Sequence, residues 1–220
     1  VWRFGVMEEK KISSAVIRRL PRYYRYLGEL IESGVQRISS KELSARMKVT
    51  ASQIRQDLNN FGGFGQQGYG YNINELHEEI GRILGLDTRT SIILIGAGNL
   101  GRAIANHMPF EERGFSLIGI FDQNPELLGK KVRNIPIQST DDLESFCAQH
   151  HPFAAILCIP KTVTLTLSER LIQAGIQAFW NFSHCDIPVA GRNIVVENVH
   201  MSDSLMTLSY EIKALQEQLE

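Results

Sequence analysis

The apolar run Ile92-Ile93-Leu94-Ile95 passes directly into Gly96-Ala97-Gly98-Asn99-Leu100-Gly101. A run of this kind suits a parallel strand covered on both faces. Glycines at these three positions, between a strand and a helical pattern, restrict the fold strongly. Gly96 permits a tight turn, Gly98 lets the backbone approach a pyrophosphate, and Gly101 lets the next helix pack closely on the strand. The helix N-terminus then favours the phosphate charge. A second apolar run, 117–121, ends at Asp122. A carboxylate there accepts from both ribose hydroxyls of an adenosine and repels a 2′-phosphate, which favours NAD(H) over NADP(H). The candidate cofactor contacts of this motif are Gly96, Ala97, Gly98, Asn99, Leu100, Gly101 and Asp122.

Further strand-like runs lie at 154–159, 178–182 and 194–196, with helical patterns at 100–108, 141–149 and 163–174. Repeated strand–helix units of this kind build a doubly wound parallel sheet of Rossmann type, an α/β fold. The segment 202–220 has Leu205, Leu208, Ile212, Leu215 and Leu219 on one helical face. That face needs an apolar surface, either its own domain's or a second subunit's.

The first 73 residues differ in character. They carry 12 Lys and Arg against 6 Asp and Glu, a net of +6, whereas the remainder nets −7. A basic head on an acidic body points the head at a polyanion, with a merely solvated basic surface as the plain alternative. The head reads as short helices. One is expected to start at Pro21 and stop at Gly34. A second follows the capping box Ser39–Glu42, and a third follows the capping box Thr50–Gln53 and runs to about Asn60. Two short helices joined by a tight turn form a helix-turn-helix. The five glycines between Phe61 and Tyr71 suit a hairpin or wing. Asn72 and Glu75 cap one more helix ending near Gly85, and 86–90 reads as a linker. The expected divisions are a winged-helix DNA-binding domain at 1–85, a Rossmann NAD(H)-binding domain at 91–200 and a C-terminal helix at 201–220.

Catalysis is not expected. Head and sheet consume nearly the whole chain, which leaves no substrate domain beside a nicotinamide. No tyrosine has a lysine four residues on, no HExxH occurs, and Cys147, Cys158 and Cys185 lack a CxxC spacing. No catalytic or metal-binding residue is therefore nominated. The unpaired cysteine pattern suits a reducing cytoplasm. No apolar run approaches the roughly 18 residues of a membrane span. No secretion signal is expected at the N-terminus, and Met7 is a candidate start.

From about Lys11 onward the chain resembles the bacterial redox-sensing transcriptional repressors of the Rex family. The resemblance rests on Arg19-Leu20-Pro21-Arg22-Tyr23-Tyr24-Arg25, Ile38-Ser39-Ser40-Lys41-Glu42-Leu43 and Ser52-Gln53-Ile54-Arg55-Gln56-Asp57. It continues through residues 65–72, the glycine motif 96–101 and Trp180-Asn181-Phe182-Ser183. It implies a homodimer that exchanges its C-terminal helices, binds a palindromic double-stranded operator with NAD+, and leaves it with NADH. The helix 50–60 would then enter the major groove, bringing Ser52, Gln53, Arg55 and Gln56 near bases and phosphates. Arg19, Arg22, Arg25 and Lys48 are candidate backbone contacts. The wing would follow the minor groove with Gln67 and Tyr69, and the resemblance adds Pro160 and Phe182 to the cofactor contacts.

Some positions depart from the family pattern. Gln66 and Gln67 stand where the wing usually has Lys-Arg, which removes phosphate contacts and lowers the salt dependence of binding. Gln56 stands where the recognition helix usually has a second cation. The family's Arg, Tyr and Asp switch cluster corresponds here to Arg19, His107 and His200. An Arg–Asp pair cannot form with His200, and protonation of that histidine would repel Arg19. His184 replaces a common proline. The rival readings are a regulator whose sheet takes CoA or a nucleotide other than NAD(H), a small NAD-dependent oxidoreductase, and a scaffold that has lost DNA binding.

Overall fold

The computed structural model describes residues 12–61, 65–66 and 69–219. The chain divides into two compact units, residues 1–87 and 88–220.

The head begins with α1 (Ser14–Glu32), capped by the Ser13 side chain, which accepts from the Val16 backbone N–H. The expected start at Pro21 is corrected: Pro21 lies inside α1. A mid-helix proline costs about 3 kcal/mol. The stripe Val16, Leu20, Tyr23, Leu27 and Leu30 is buried and outweighs that cost. Gly34, at φ +74°, ends the turn after the helix. The short strand β1 (Arg37–Ile38) leads to α2 (Ser40–Met47), where both halves of the Ser39–Glu42 capping box form. Lys48 is left-handed at φ 53° and turns the chain toward Thr50, the N-cap of α3 (Ala51–Asn59). Only half of the second expected box is seen: Thr50 Oγ1 accepts from the Gln53 backbone, while the Gln53 side chain turns to Asp57.

Strands β2 (Gly65–Gln66) and β1 flank β3 (Gly70–Asn72) in a small antiparallel sheet. Asn72 Oδ1 then caps α4 (Ile73–Ile83) by accepting from Asn74 and Glu75 backbone N–H groups. Leu20, Leu27, Leu43, Met47, Ile54, Leu58, Ile73 and Ile80 form one core.

The body contains β4 (Thr90–Ile95), α5 (Asn99–His107), β5 (Phe115–Asp122), β6 (Lys131–Val132), β7 (Ile135–Ser139), α6 (Leu143–His150), β8 (Ala154–Leu157), α7 (Lys161–Gln173), β9 (Ala178–Asn181), β10 (Val195–Asn198) and α8 (Met201–Leu219). Its sheet runs β10-β9-β8-β4-β5-β7-β6, parallel except for β6. Ile92 and Leu94 enter the core on one face of the sheet, and Ile93 and Ile95 enter the core on the other. This explains the unbroken apolar run. The hairpin β6–β7 was not expected. Its turn places Arg133 and Asn134 at positive φ, a two-residue connection made without glycine.

Helix α8 has no buried residue, and Leu205, Leu208, Ile212, Leu215 and Leu219 are all exposed. An apolar groove of about 430 Å³ opens in the same unit, lined by Ile92, Met108, Phe110, Ala154, Ala178 and Trp180. Among the described residues no helix is long and apolar enough to cross a membrane.

Candidate dinucleotide site and nucleic-acid interface

In open parallel sheets, ligands sit outside the carboxyl ends of the strands where the strand order reverses. Here β4 lies between β5 and β8, and its carboxyl end runs into Gly96. Each motif glycine has a distinct physical setting. Gly96 has φ +96°, and a Cβ there would lie 2.3 Å from the Cys158 carbonyl oxygen. A Cβ on Gly101 would lie 1.8 Å from the Gly96 carbonyl oxygen, so α5 can approach β4 only without one. A Cβ on Gly98 would meet no atom within 4 Å, so backbone is presented here to open space. Gly98 is also the N-cap of α5 and supplies no side chain to the first-turn N–H groups. Those donors suit an anion.

Asp122 sits beside them at the end of β5. Its Oδ2 accepts from Ala97 N at 2.6 Å and its Oδ1 from Asn124 N at 2.8 Å. Both oxygens are thereby aimed, and each keeps lone-pair capacity for a ribose hydroxyl. A cavity of about 270 Å³ joins Gly96, Gly98, Asp122, Cys158 and Pro160. Ala97 is fully buried and Leu100 packs into the core, so these two contribute backbone rather than side chain. Asn99 Oδ1 accepts from Arg102. Phe182 is not among the residues lining this cavity; it follows β9 and sits edge-on to Trp180. Cys158 faces the cavity, but burial pushes its thiol up to about 12, which leaves little nucleophilic thiolate.

Past β9, buried Asn181 holds the loop together. It donates to the Cys185 carbonyl and to Asn198 Oδ1, and accepts from the Ser183 backbone and hydroxyl. His184 on that loop stacks on His200, with ring centroids 6.0 Å apart. His107 is exposed at the last position of α5. Arg19, the third residue of the expected switch, lies in the head.

In the head, α3 presents Ser52 and Gln56 to solvent, while the Arg55 side chain donates to Ser40 Oγ on α2. Lys48 is exposed at the turn before α3. Arg22 and Arg25 both approach the Tyr26 ring, at 5.8 and 5.4 Å. Tyr69 is 71% exposed, and its carbonyl accepts from Arg37. Gln67 lies outside the described residues.

Arg19 and Gln53 are engaged inside the head. The guanidinium of Arg19 forks onto Asp57, Nε to Oδ2 and Nη2 to Oδ1, both at 2.7 Å. Tyr23 O–H donates to Oδ2 at 2.9 Å and Gln53 Nε2 to Oδ1 at 2.8 Å. Burial alone would push the Asp57 carboxyl up, but the bonds from Arg19, Gln53 and Tyr23 together hold it below its ordinary value. Burial and the same carboxylate push the Tyr23 phenol up.

Two functional candidates escaped the sequence reading. Asp57 carried a signal, because it shares the inward side of α3 with Ile54 and Leu58. Arg18 extends the stripe of Arg22 and Arg25 along α1, and it is exposed. Among the described residues no three His, Cys, Asp or Glu side chains are placed to hold a metal.

Two family models match the chain. One, described as "Putative DNA-binding protein N-terminus", covers residues 11–59, and the other, described as "CoA binding domain", covers residues 87–185. The redox-sensing transcriptional repressor Rex of Caldanaerobacter subterraneus subsp. tengcongensis is 58% identical over 201 residues, 91% of this chain and 89% of that protein. Rex of Clostridioides difficile strain 630 is 52% identical over 208 residues, 94% and 99% of the two chains. Among solved structures, RSP in complex with β-NAD+ and operator DNA superposes with a TM-score of 0.86 at 55% identity, covering 94% of this chain and 96% of that one. RSP in complex with β-NADH gives 0.87 at 51% identity, covering 96% and 100%.

Proposed function

The chain belongs to the Rex family of redox-sensing transcriptional repressors, and from that premise we propose that its homodimer holds a palindromic operator with NAD+ bound and releases it when NADH takes that place. The observation that carries the reading is the union of two sites in one chain. One is the open backbone at Gly98 beside the aimed carboxylate of Asp122; the other is a helix-turn-helix with a cationic α1 stripe. Among the described residues no salt bridge is seen to Arg18, Arg22 or Arg25, so that stripe is available to phosphates.

The residues fit a dinucleotide. The first turn of α5 receives the pyrophosphate, Asp122 takes the ribose hydroxyls, and Pro160 closes the cavity at the start of α7. The nicotinamide supplies the signal through its two oxidation states; the protein reads the ring and performs no reaction on it. The proposed domains are 1–85 for DNA, 91–200 for NAD(H) and 201–220 for dimerisation. The dimer is supported by α8, whose exposed leucines match an apolar groove of its own unit; a second copy's α8 fills that groove. Arg19, His107 and His200 are the proposed coupling residues. The free cysteines and the DNA target support a cytoplasmic location.

Two sites matter for the switch. If each prefers the released geometry about 100-fold, the pair supplies about 5.5 kcal/mol, enough to reverse a 99:1 population. The test is fluorescence anisotropy of a labelled palindromic duplex, with NADH titrated against fixed NAD+ and CoA added in a parallel series. Release by NADH and not by CoA is expected. Release by CoA alone favours the CoA reading that the second family model suggests. Binding indifferent to NADH, restored to sensitivity by His200→Asp, shows that the histidines break the coupling.

A further inference from the structure

α1 and α3 meet through two side-chain pairs, each one helical turn apart. Arg19 and Tyr23 project from α1, and Gln53 and Asp57 from α3. Residues one turn apart share a helix face. The four therefore form one cluster around a carboxylate that is fully buried. An ionised carboxylate only accepts hydrogen bonds. The Gln53 amide must accordingly turn its nitrogen toward Asp57, and Nε2 does sit 2.8 Å from Oδ1. Its carbonyl oxygen is left for the other side. Gln53 is the third residue of α3, and its backbone N–H is held by the Thr50 cap, so its Cα is fixed as well. The N-terminal residues of a recognition helix are the ones that reach base edges.

We infer that Asp57 is a positioning residue for sequence recognition: it fixes the polarity of the Gln53 amide, so that Gln53 offers an acceptor to the base it meets. This rests on the proposed operator binding. An acceptor meets the exocyclic amine of adenine or cytosine, whereas an amide free to turn over also meets the oxygen of guanine or thymine. Asp57 thus acts on specificity without touching DNA. Ser52 and Gln56, exposed on the same helix, have no such tether to Asp57.

The test starts by letting the full-length protein select duplexes from a randomised pool. Binding is then measured to every single-base-pair substitution of the selected site. Gln53→Ala identifies the base pair that Gln53 reads, expected as a loss of about 5- to 150-fold discrimination at one half-site position. The base that Gln53 reads is then expected to present an exocyclic amine, and replacing that base by an analogue lacking the amine costs the wild-type protein as much discrimination as Gln53→Ala does. Arg19→Met with Asp57→Leu removes the buried pair together. In that variant, assayed with NAD+ present, discrimination at this position falls to about twofold, a larger loss than at any other position. The amine-deletion result, obtained with the wild-type protein, decides the question even if the double variant does not fold.

A wild-type protein indifferent to loss of the exocyclic amine at that position overturns the inference. So does a folded double variant with the wild-type profile, or a Gln53→Ala variant that relaxes no position. A wild-type protein that selects no sequence overturns the operator reading itself.

Discussion

The head and the body bury different kinds of polarity. Among the described residues, Asp57 in the head is the only buried charged side chain; the body's buried polar residues are the neutral Thr164, Ser168, Asn181 and Ser183. Both Asp57 and Asn181 gather four hydrogen bonds, yet they respond differently to loss of a partner. A neutral amide that loses one bond forfeits a modest net gain. A buried carboxylate that loses its cation is left charged and uncompensated. The head thus adds one all-or-none polar anchor to its apolar core, whereas the buried polar groups of the body act in small increments.

Asp57→Ala breaks this contrast most strongly. It strands Arg19 and Tyr23 and is expected to destabilise the head by about 3–5 kcal/mol. Hydrogen exchange of α1 and α3 amides should accelerate, while Trp180 fluorescence, which reports the body, keeps its midpoint. Acid sharpens the same difference. The Asp57 carboxyl is lowered in the folded head, so its contribution is present above the unfolded value of about 3.9 and is lost as pH falls through the lower folded one. Exchange in α1 and α3 should rise on acidification below about pH 4 in wild type, and much less steeply in the Arg19→Met, Asp57→Leu variant. In the body, Glu144 and Glu169 are also lowered by arginine partners, but on exposed side chains whose pairing is screened.

Gly101→Ala probes the body in return. Its Cβ would sit 1.8 Å from the Gly96 carbonyl oxygen and force α5 away from β4. A cost of about 1–3 kcal/mol follows, as for other overpacked sites. Isothermal titration should show NADH binding lost while head exchange is unchanged; retained NADH affinity would refute the cradle. The smallest effect is expected at Lys48, a left-handed residue with a side chain. Lys48→Gly relieves about 1 kcal/mol of backbone strain. The head should gain stability as operator affinity falls, with the salt slope dropping by about 1 per head. Unchanged affinity would remove Lys48 from the DNA contacts.

The body was the more legible region, for physical reasons. A buried parallel strand must be apolar on both faces, and a tight strand–helix turn must be glycine, so the sequence itself marks 92–101. The exceptions also have causes. In β6–β7 the turn uses Arg133 and Asn134 at positive φ, and Pro136 interrupts the strand pattern, so neither glycine nor alternation announces it. In the head, Pro21 suggested a helix start because local preference favours it there, and only the packed stripe from Val16 to Leu30 overrides it. The Asp57 cluster joins residues 34 and 38 apart in sequence, a pairing that spacing along one helix cannot show. Local spacing predicts Gln53 as half of a capping box, but its amide turns to Asp57 on its own helix, whose carboxyl Arg19, Gln53 and Tyr23 together hold below its ordinary value.

The Asp57 cluster also bears on how such a protein diverges. Three side chains on two helices answer to the Asp57 carboxylate, so the four residues are expected to change as a block: a change at Arg19, Tyr23, Gln53 or Asp57 alone is penalised before any compensating change can arise. Lineages should therefore explore new operator sequences through Ser52 and Gln56, whose exposed side chains can vary one at a time, and should change position 53 only in company with 57 and 19.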